Sequence, residues 1–154
     1  MPMQKLKGFL DGHGVRYVVI SHSPAFTAQE IAASAHIPGE EVAKTVIVEM
    51  DGRLVMAVVP APCRVDLERL RQAAGANYVH LASEEDFTAR FPNCEAGAMP
   101  PFGNLFDMPV YVDKALALDE KIAFTAGTHH ELVQVAYEDF QNLVKAEVAE
   151  FAVH

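Results

Sequence analysis

The stretch from Glu41 to Pro60, E-V-A-K-T-V-I-V-E-M-D-G-R-L-V-M-A-V-V-P, decides the fold of this chain. Two runs rich in β-branched residues, Lys44 to Met50 and Arg53 to Val59, flank the pair Asp51-Gly52. Both residues of an Asp-Gly pair tolerate positive φ, which the two-residue turn of an antiparallel hairpin requires. The stretch therefore predicts a β-hairpin.

Shorter patterns on either side of the hairpin predict further helices and strands. Strands are predicted at Arg16–Ser21, Tyr78–Ala82, Val110–Asp113, Lys121–Thr125 and Glu131–Ala136. Helices are predicted around Leu6–Leu10, at Ala28–Ala35 behind a Thr27-x-x-Glu30 capping box, after Asp66, after Ser83, and from about Glu138 to Lys145. These elements predict an α/β (α+β) chain with a mixed, mostly antiparallel sheet flanked by helices.

Length and composition predict one globular domain over residues 1–154. The chain has 51% hydrophobic and 21% charged residues, without repeats or low-complexity linkers. Apolar runs such as Leu54–Ala61 are too short to span a bilayer, so we expect no membrane contact. Cys63 and Cys94 show neither disulfide-framework nor metal-site spacing, and the N-terminus lacks the apolar core of a signal peptide. A reducing cytoplasm is the simplest interpretation.

The net charge of −9 argues against a protein that grips nucleic acid tightly by itself. Phosphate contacts from a basic face supply most nonspecific affinity for nucleic acids. The basic residues here are scattered, and only Arg64, Arg69 and Arg71 lie close together in sequence. Any contact with RNA is therefore predicted to be small and local.

Lys44 is the first candidate for chemistry, and the residues alone leave two interpretations open. A lysine at a strand edge is commonly a surface residue that discourages edge pairing. Here Ala43, Val46 and Val48 are apolar, so the ammonium group is also a candidate for a half-enclosed functional position.

The second candidate is the segment Gly97 to Gly103, G-A-M-P-P-F-G, in a stretch without regular periodicity. It could be a simple turn stiffened by Pro100 and Pro101. It could also bind a ligand, because Gly97 lets the backbone approach closely. The N–H groups of Gly97, Ala98 and Met99 would then point at a carbonyl oxygen, with Phe102 as an apolar wall.

The third candidate is Gly127-Thr128-His129-His130. Adjacent histidines in a strand point to opposite faces, so which of the two would face inward stays open. They do not ligate a metal together as a helical i, i+4 pair does, and no third ligand is evident. No metal and no organic cofactor are predicted. The sequence also contains no G-x-S-x-G, P-loop or G-x-G-x-x-G motif.

Taken together, these motifs resemble the YbaK family, the editing domain associated with prolyl-tRNA synthetase. The resemblance rests on Glu41–Val48, Gly97–Gly103 and Ala126–Glu131 in this order, with H-S-P-A-F-T-A-Q-E from His22 to Glu30. It extends from about Leu6 to Lys145. It implies a curved mixed sheet and a free-standing editing domain.

The resemblance also implies roles for particular residues. The implied catalytic residues are Lys44, Gly97, Thr128 and His129. Lys44 would hold the terminal phosphate or ribose of the tRNA 3′ end, and Thr128 or His129 would orient water. The residues implied to bind substrate are His22, Thr27, Ala98, Met99, Pro100, Phe102 and Gly127. Asp113 is expected to support the end of the sheet.

The implied activity is trans-editing, the hydrolysis of the ester between a wrong amino acid and the tRNA terminal ribose. The expected partners are the acceptor end of an aminoacyl-tRNA and an aminoacyl-tRNA synthetase. One alternative is a non-catalytic module that binds a synthetase, a tRNA end or an aminoacyl-like ligand. Another is a small-ester hydrolase that acts outside translation.

Overall fold

The computed structural model describes residues 2–21, 38–83, 85, 99–125 and 131–153. The predicted helix behind Thr27 and most of the helix predicted after Ser83 lie outside these residues. None of the described helices is long and apolar enough to cross a membrane. The described elements are α1 (Pro2–Gly12), β1 (Tyr17–Ser21), a 3-10 turn (Gly39–Glu41), β2 (Ala43–Met50), β3 (Arg53–Pro60), β4 (Arg64–Val65), α2 (Leu67–Ala74), β5 (Val79–Leu81), a 3-10 turn (Gly103–Leu105), β6 (Val110–Asp113), α3 (Lys114–Ala117), β7 (Lys121–Thr125), β8 (Glu131–Ala136), α4 (Tyr137–Val144), β9 (Glu147–Ala149) and β10 (Ala152–Val153).

The predicted hairpin is confirmed. Strands β2 and β3 pair antiparallel, with Met50 opposite Arg53. Asp51 and Gly52 take φ values of 52° and 83°, the left-handed pair that this turn requires. The Asp51 carboxylate also accepts a hydrogen bond from the backbone N–H of Tyr78 at 2.8 Å. The turn thereby fixes both the hairpin register and the approach to β5.

The hairpin forms the centre of a five-stranded sheet with the order β5-β2-β3-β6-β9. Its β2–β3 and β2–β5 pairings are antiparallel, and its β3–β6 and β6–β9 pairings are parallel. A second, antiparallel sheet has the order β1-β8-β7, and β10 pairs with β4. The predicted mixed, mostly antiparallel arrangement is confirmed. The described strands form three sheets and not a single one. An isolated β-bridge pairs Val42, just before β2, with Ala123 of β7.

Apolar clusters cover both faces of the five-stranded sheet. Met56 and Val58 of β3 join a large cluster with the second sheet, α1 and α4. Val55, Ala57 and Val59 alternate with them and pack against Leu70 of α2 and against Phe151. Strand β3 is therefore buried on both faces, which explains why its sequence is a continuous apolar run.

The helix predicted after Asp66 is confirmed, together with both of its ends. The Asp66 carboxylate accepts hydrogen bonds from the backbone N–H groups of Glu68 and Arg69, and Gly75 ends the helix with a φ of 68°. Four short elements were not predicted, namely β4, α3, β9 and β10. Each has only two to four residues, so hydrophobic periodicity could not indicate it.

Asp113 supports the end of the sheet, as predicted. It is 4% exposed and lies at the end of β6. One of its carboxylate oxygens accepts hydrogen bonds from Phe151 N and Ala152 N, each at 2.9 Å. The other oxygen accepts from Ala115 N at 2.9 Å and caps α3. One buried carboxylate thus holds together β6, α3 and the C-terminal segment.

Replacing Asp113 with Ala is expected to lower the free energy of unfolding by about 1–3 kcal/mol, because buried N–H groups lose their acceptor. Asp113→Asn keeps one acceptor oxygen and should cost less. Denaturant unfolding measures both effects, with Glu150→Ala, which removes an exposed carboxylate nearby, as the control. Equal stability of Asp113→Ala and Glu150→Ala would contradict the anchoring role.

Candidate active site

Lys44 lies near the start of β2, opposite Val59. Its neighbours Ala43 and Ile47 point into the large cluster, whereas Val46 and Val48 face the cluster around Leu70. Because side chains alternate along a strand, Lys44 shares the face of Val46 and Val48. The predicted half-enclosed position is observed, since the Lys44 side chain is partly buried.

The Lys44 ammonium group is held by a backbone carbonyl. Its Nζ donates a hydrogen bond of 2.5 Å to the oxygen of Cys63. Burial lowers the pKa of Lys44, and the nearby Cys63 acts in the opposite direction. Loss of water around a charged amine disfavours its protonated form. The group therefore sits where its charge is poorly solvated, and it is fixed in direction.

The Cys63 carbonyl is positioned by the turn that follows β3. The N–H of Cys63 donates to Pro60 O at 2.9 Å, and the N–H of Ala61 donates to Val42 O at 2.8 Å. These bonds tie the turn to the start of β2, so the acceptor and the lysine belong to one rigid unit. No sequence motif indicated this acceptor.

Cys63 itself is not placed for nucleophilic chemistry. Burial raises the pKa of its thiol, and the charge of Asp113 raises it further, while Lys44 acts in the opposite direction. A raised pKa keeps the thiol protonated at neutral pH, and the thiolate is the nucleophile. The side chain is 8% exposed and packs in the cluster around Leu70.

The second half of the glycine-proline segment is anchored in the large cluster. Met99 is 5% exposed, Phe102 is 0% exposed, and Pro100 is also buried. The Phe102 ring lies 5.2 Å from that of Phe124 and 5.5 Å from that of Phe140, measured between centroids. Aromatic pairs at such distances add to the stabilisation from burial. Phe102 therefore connects this segment to β7 and α4.

Gly103 explains why the segment ends in a glycine. A Cβ at this position would collide with the Met108 carbonyl oxygen and lie 2.6 Å from Cγ2 of Val110. The carbonyl of Gly103 also accepts hydrogen bonds from Phe106 N and Met108 N, each at 2.9 Å. The glycine permits a close backbone approach that positions the loop on β6.

The described structure does not bring all of the predicted site residues to one place. Met99 and Phe102 pack in the cluster on the face of β2 opposite to Lys44. The other predicted residues lie outside the described residues and keep the status of predictions, namely His22, Thr27, Gly97, Ala98, Gly127, Thr128 and His129. Within the described ranges, no group of three His, Cys, Asp or Glu side chains is arranged to hold a metal ion.

The chain connects the described strands directly to these predicted residues. His22 follows Ser21 at the end of β1, and Gly127–His129 lie between the end of β7 and the start of β8. Residues 17–21 of β1 pair with residues 131–135 of β8. Two predicted segments therefore leave the same end of the three-stranded sheet.

Comparison with known proteins gives one family match and several relatives. A family model described as "Aminoacyl-tRNA editing domain" matches residues 22–143. Proline–tRNA ligases of Bacillus mycoides (strain KBAB4) and Bacillus cereus (strain AH187) are each 30% identical to this chain over 89 residues, 58% of the chain. The matched stretch spans only 16% of the length of these ligases.

Two solved structures share the fold. A crystal structure of a proposed trans-editing enzyme for prolyl-tRNA synthetase superposes with a TM-score of 0.82 and 20% identity, covering 99% of this chain and 98% of that chain. A hypothetical protein superposes with a TM-score of 0.85 and 22% identity, covering 97% of this chain and 99% of that chain. Sequence identities this low show that the fold is shared, and they give no evidence about function.

Replacing Lys44 with Met is expected to change the pH dependence of stability. In the alkaline range between the lowered pKa and the ordinary lysine value near 10.4, the unfolded chain binds more protons than the folded chain, so wild-type stability gains from rising pH. The variant lacks this gain. The difference in denaturation midpoint between the wild type and Lys44→Met should therefore shift in favour of the wild type as the pH rises from 7 to 10. The variant Lys114→Met is the control for the loss of one positive charge. A constant difference would contradict a desolvated ammonium.

Gly103→Ala is expected to lower the free energy of unfolding by about 1–3 kcal/mol, because the added methyl group overpacks the loop. The matched control is Gly8→Ala, an exposed position in α1 where an added Cβ meets nothing within 4 Å. This control should stabilise the helix by roughly 0.5–1 kcal/mol. Chemical denaturation compares the two, and a neutral Gly103→Ala would show that the close approach is not required.

Proposed function

Since the chain belongs to the aminoacyl-tRNA editing domain family, we propose that it hydrolyses the ester between a wrongly attached amino acid and the 3′-terminal ribose of tRNA. The half-buried ammonium group of Lys44 carries this proposal. A desolvated charge is costly, and such groups cluster at functional sites. The family match includes Lys44 and every other predicted site residue.

The proposed reaction needs no covalent intermediate. A water oxygen adds to the acyl carbon, and the bond to the ribose oxygen then breaks. The ribose oxygen leaves with one proton of the water, the amino acid is released as its carboxylate, and the second proton passes to the solvent. Thr128 or His129 orients the water, with a histidine suited to proton transfer near neutral pH.

Lys44 acts on the nucleic-acid side of the ester in this proposal. Its ammonium group binds the terminal phosphate or ribose and stabilises the negative charge that develops as the ester breaks. The hydrogen bond to Cys63 O supports this role, since it orients the ammonium before substrate arrives. The backbone N–H groups of Gly97, Ala98 and Met99 donate hydrogen bonds to the acyl oxygen.

The relatives suggest which substrate to test first. Those from Bacillus are proline–tRNA ligases, and one structural neighbour is a proposed trans-editing enzyme for prolyl-tRNA synthetase. We therefore propose that the substrate is the tRNA for proline carrying a wrong amino acid, and that prolyl-tRNA synthetase is a partner. In an aminoacyl pocket, one methylene group discriminates between substrates by only about 1–3 kcal/mol.

The test is incubation of the purified protein with tRNAs mischarged with alanine, serine, cysteine or larger residues, and with correctly charged prolyl-tRNA. We expect release of free amino acid from at least one mischarged tRNA and not from the correct one. Saturable binding without turnover would instead support a non-catalytic module. Equal turnover of simple esters that lack tRNA would support a small-ester hydrolase. Either result contradicts editing.

A further inference from the structure

A hollow of about 500 Å³ lies on the three-stranded sheet, where β1 begins and β8 ends. Its wall includes Arg16, Val18, Lys121, Gln134 and Asp139. Val18 and Gln134 are directly paired across β1 and β8, and they alternate with the residues that face the large cluster. The hollow therefore opens on the side of this sheet that faces away from that cluster.

Two cations, Arg16 and Lys121, lie in this wall. Arg16 and Lys121 are both exposed, and among the described residues neither takes part in an ion pair or a side-chain hydrogen bond. Among the described residues of this wall, Asp139 is the only acidic one, so two positive charges lie beside one negative charge. In a chain with a net charge of −9, this local excess of positive charge favours an anion.

Two of the three arginines in the basic cluster that is visible in the sequence have acidic partners. Arg71 forms an ion pair with Glu68 at 2.6 Å, and Arg69 lies 3.8 Å from the carboxylate of Asp66. Both arginines are therefore engaged within α2. Only the fold brings Arg16 and Lys121, which are far apart in sequence, into one hollow.

The hollow lies at the end of the β1–β8 pair opposite to the end from which the chain continues to His22. Tyr17 pairs with Val135 beside the hollow, and Ser21 pairs with Glu131 at the other end of the sheet. Four residue steps along the strand separate these two pairs, which corresponds to about 13 Å at roughly 3.3 Å per residue. The predicted residues His22 and Gly127–His129 follow from that other end. A few nucleotides of a single strand can cover such a span.

We propose that this hollow binds a backbone phosphate of the acceptor strand, a few nucleotides before the ribose that carries the amino acid. This inference rests on the proposed function. The Arg16 guanidinium group offers a planar fork of donors to phosphate oxygens, and Lys121 adds a compact charge. The Gln134 amide supplies a further donor, and exposed Val18 provides an apolar surface beside the strand.

The experiment removes both cations in Arg16→Ala/Lys121→Ala. The matched control is Arg53→Ala/Lys114→Ala, which removes the same charge from two exposed positions outside the hollow. The binding of an acceptor-stem RNA hairpin, which has a single-stranded 3′ end and carries no amino acid, is measured for both variants at several salt concentrations. We also measure kcat and KM for the mischarged tRNA that the wild type hydrolyses fastest. The same constants are measured for the corresponding aminoacyl-adenosine, which has no upstream phosphate.

We expect the hollow variant to bind the hairpin roughly tenfold more weakly than the control, with a shallower salt dependence, since it loses charge-assisted phosphate contacts. KM for tRNA should rise to a similar extent without a change in kcat, and hydrolysis of aminoacyl-adenosine should be unaffected. Hairpin binding equal to that of the control would overturn this inference while leaving the deacylase activity intact.

Two further outcomes separate the inference from the proposed function. If the wild type hydrolyses no mischarged tRNA, the proposed function fails, and the hairpin comparison still decides whether the hollow binds RNA. If the hollow variant loses binding of inorganic phosphate but keeps full binding of the hairpin, the hollow is a site for a free anion. That result also overturns the assignment to nucleic acid.

Discussion

The register of the β2–β3 hairpin is the constraint on which the rest of the structure depends. The left-handed pair Asp51-Gly52 sets Met50 opposite Arg53, and every later pair up to Ala43 and Pro60 follows from it. A slip of one residue would turn each side chain to the other face of the sheet. Lys44 would then enter the large apolar cluster, and Ile47 would leave it. The same register places the turn after Pro60 beside the start of β2, where Cys63 O receives the ammonium group.

Lys44 and Asp113 are two polar residues of low exposure at the same end of the five-stranded sheet, and their chemistry differs. The Asp113 carboxylate accepts three backbone hydrogen bonds and acts as a structural anchor for β6, α3 and the C-terminal segment. Lys44 has one described acceptor, and its pKa is lowered by burial, so its charge is incompletely compensated. Incomplete compensation costs stability, but it leaves donors of the ammonium group available to a ligand. That difference separates a structural ion from a candidate functional one.

Much of the fold followed from local sequence chemistry. The hairpin, the capped helix after Asp66 and the strands β6, β7 and β8 were predicted because turn residues and β-branched runs mark them. The short strands β4, β9 and β10 were not, since they form only where a distant partner is already in place. Among the site residues, the apolar neighbours of Lys44 indicated partial enclosure. The carbonyl acceptor at Cys63, the close approach at Gly103 and the meeting of Arg16 with Lys121 depend on tertiary contacts, for which the sequence carries no local signal.

The central claim is that the oriented ammonium group of Lys44 is required for ester hydrolysis and not for folding. The most direct measurement is the single-turnover rate of deacylation of a mischarged tRNA by Lys44→Ala, beside its thermal midpoint and beside Lys114→Ala as the charge control. The account predicts a loss of roughly 100-fold or more for Lys44→Ala, the size expected when a donor to developing charge is removed, with a nearly unchanged midpoint and a control at the wild-type rate. Deacylation by Lys44→Ala at the wild-type rate would contradict it.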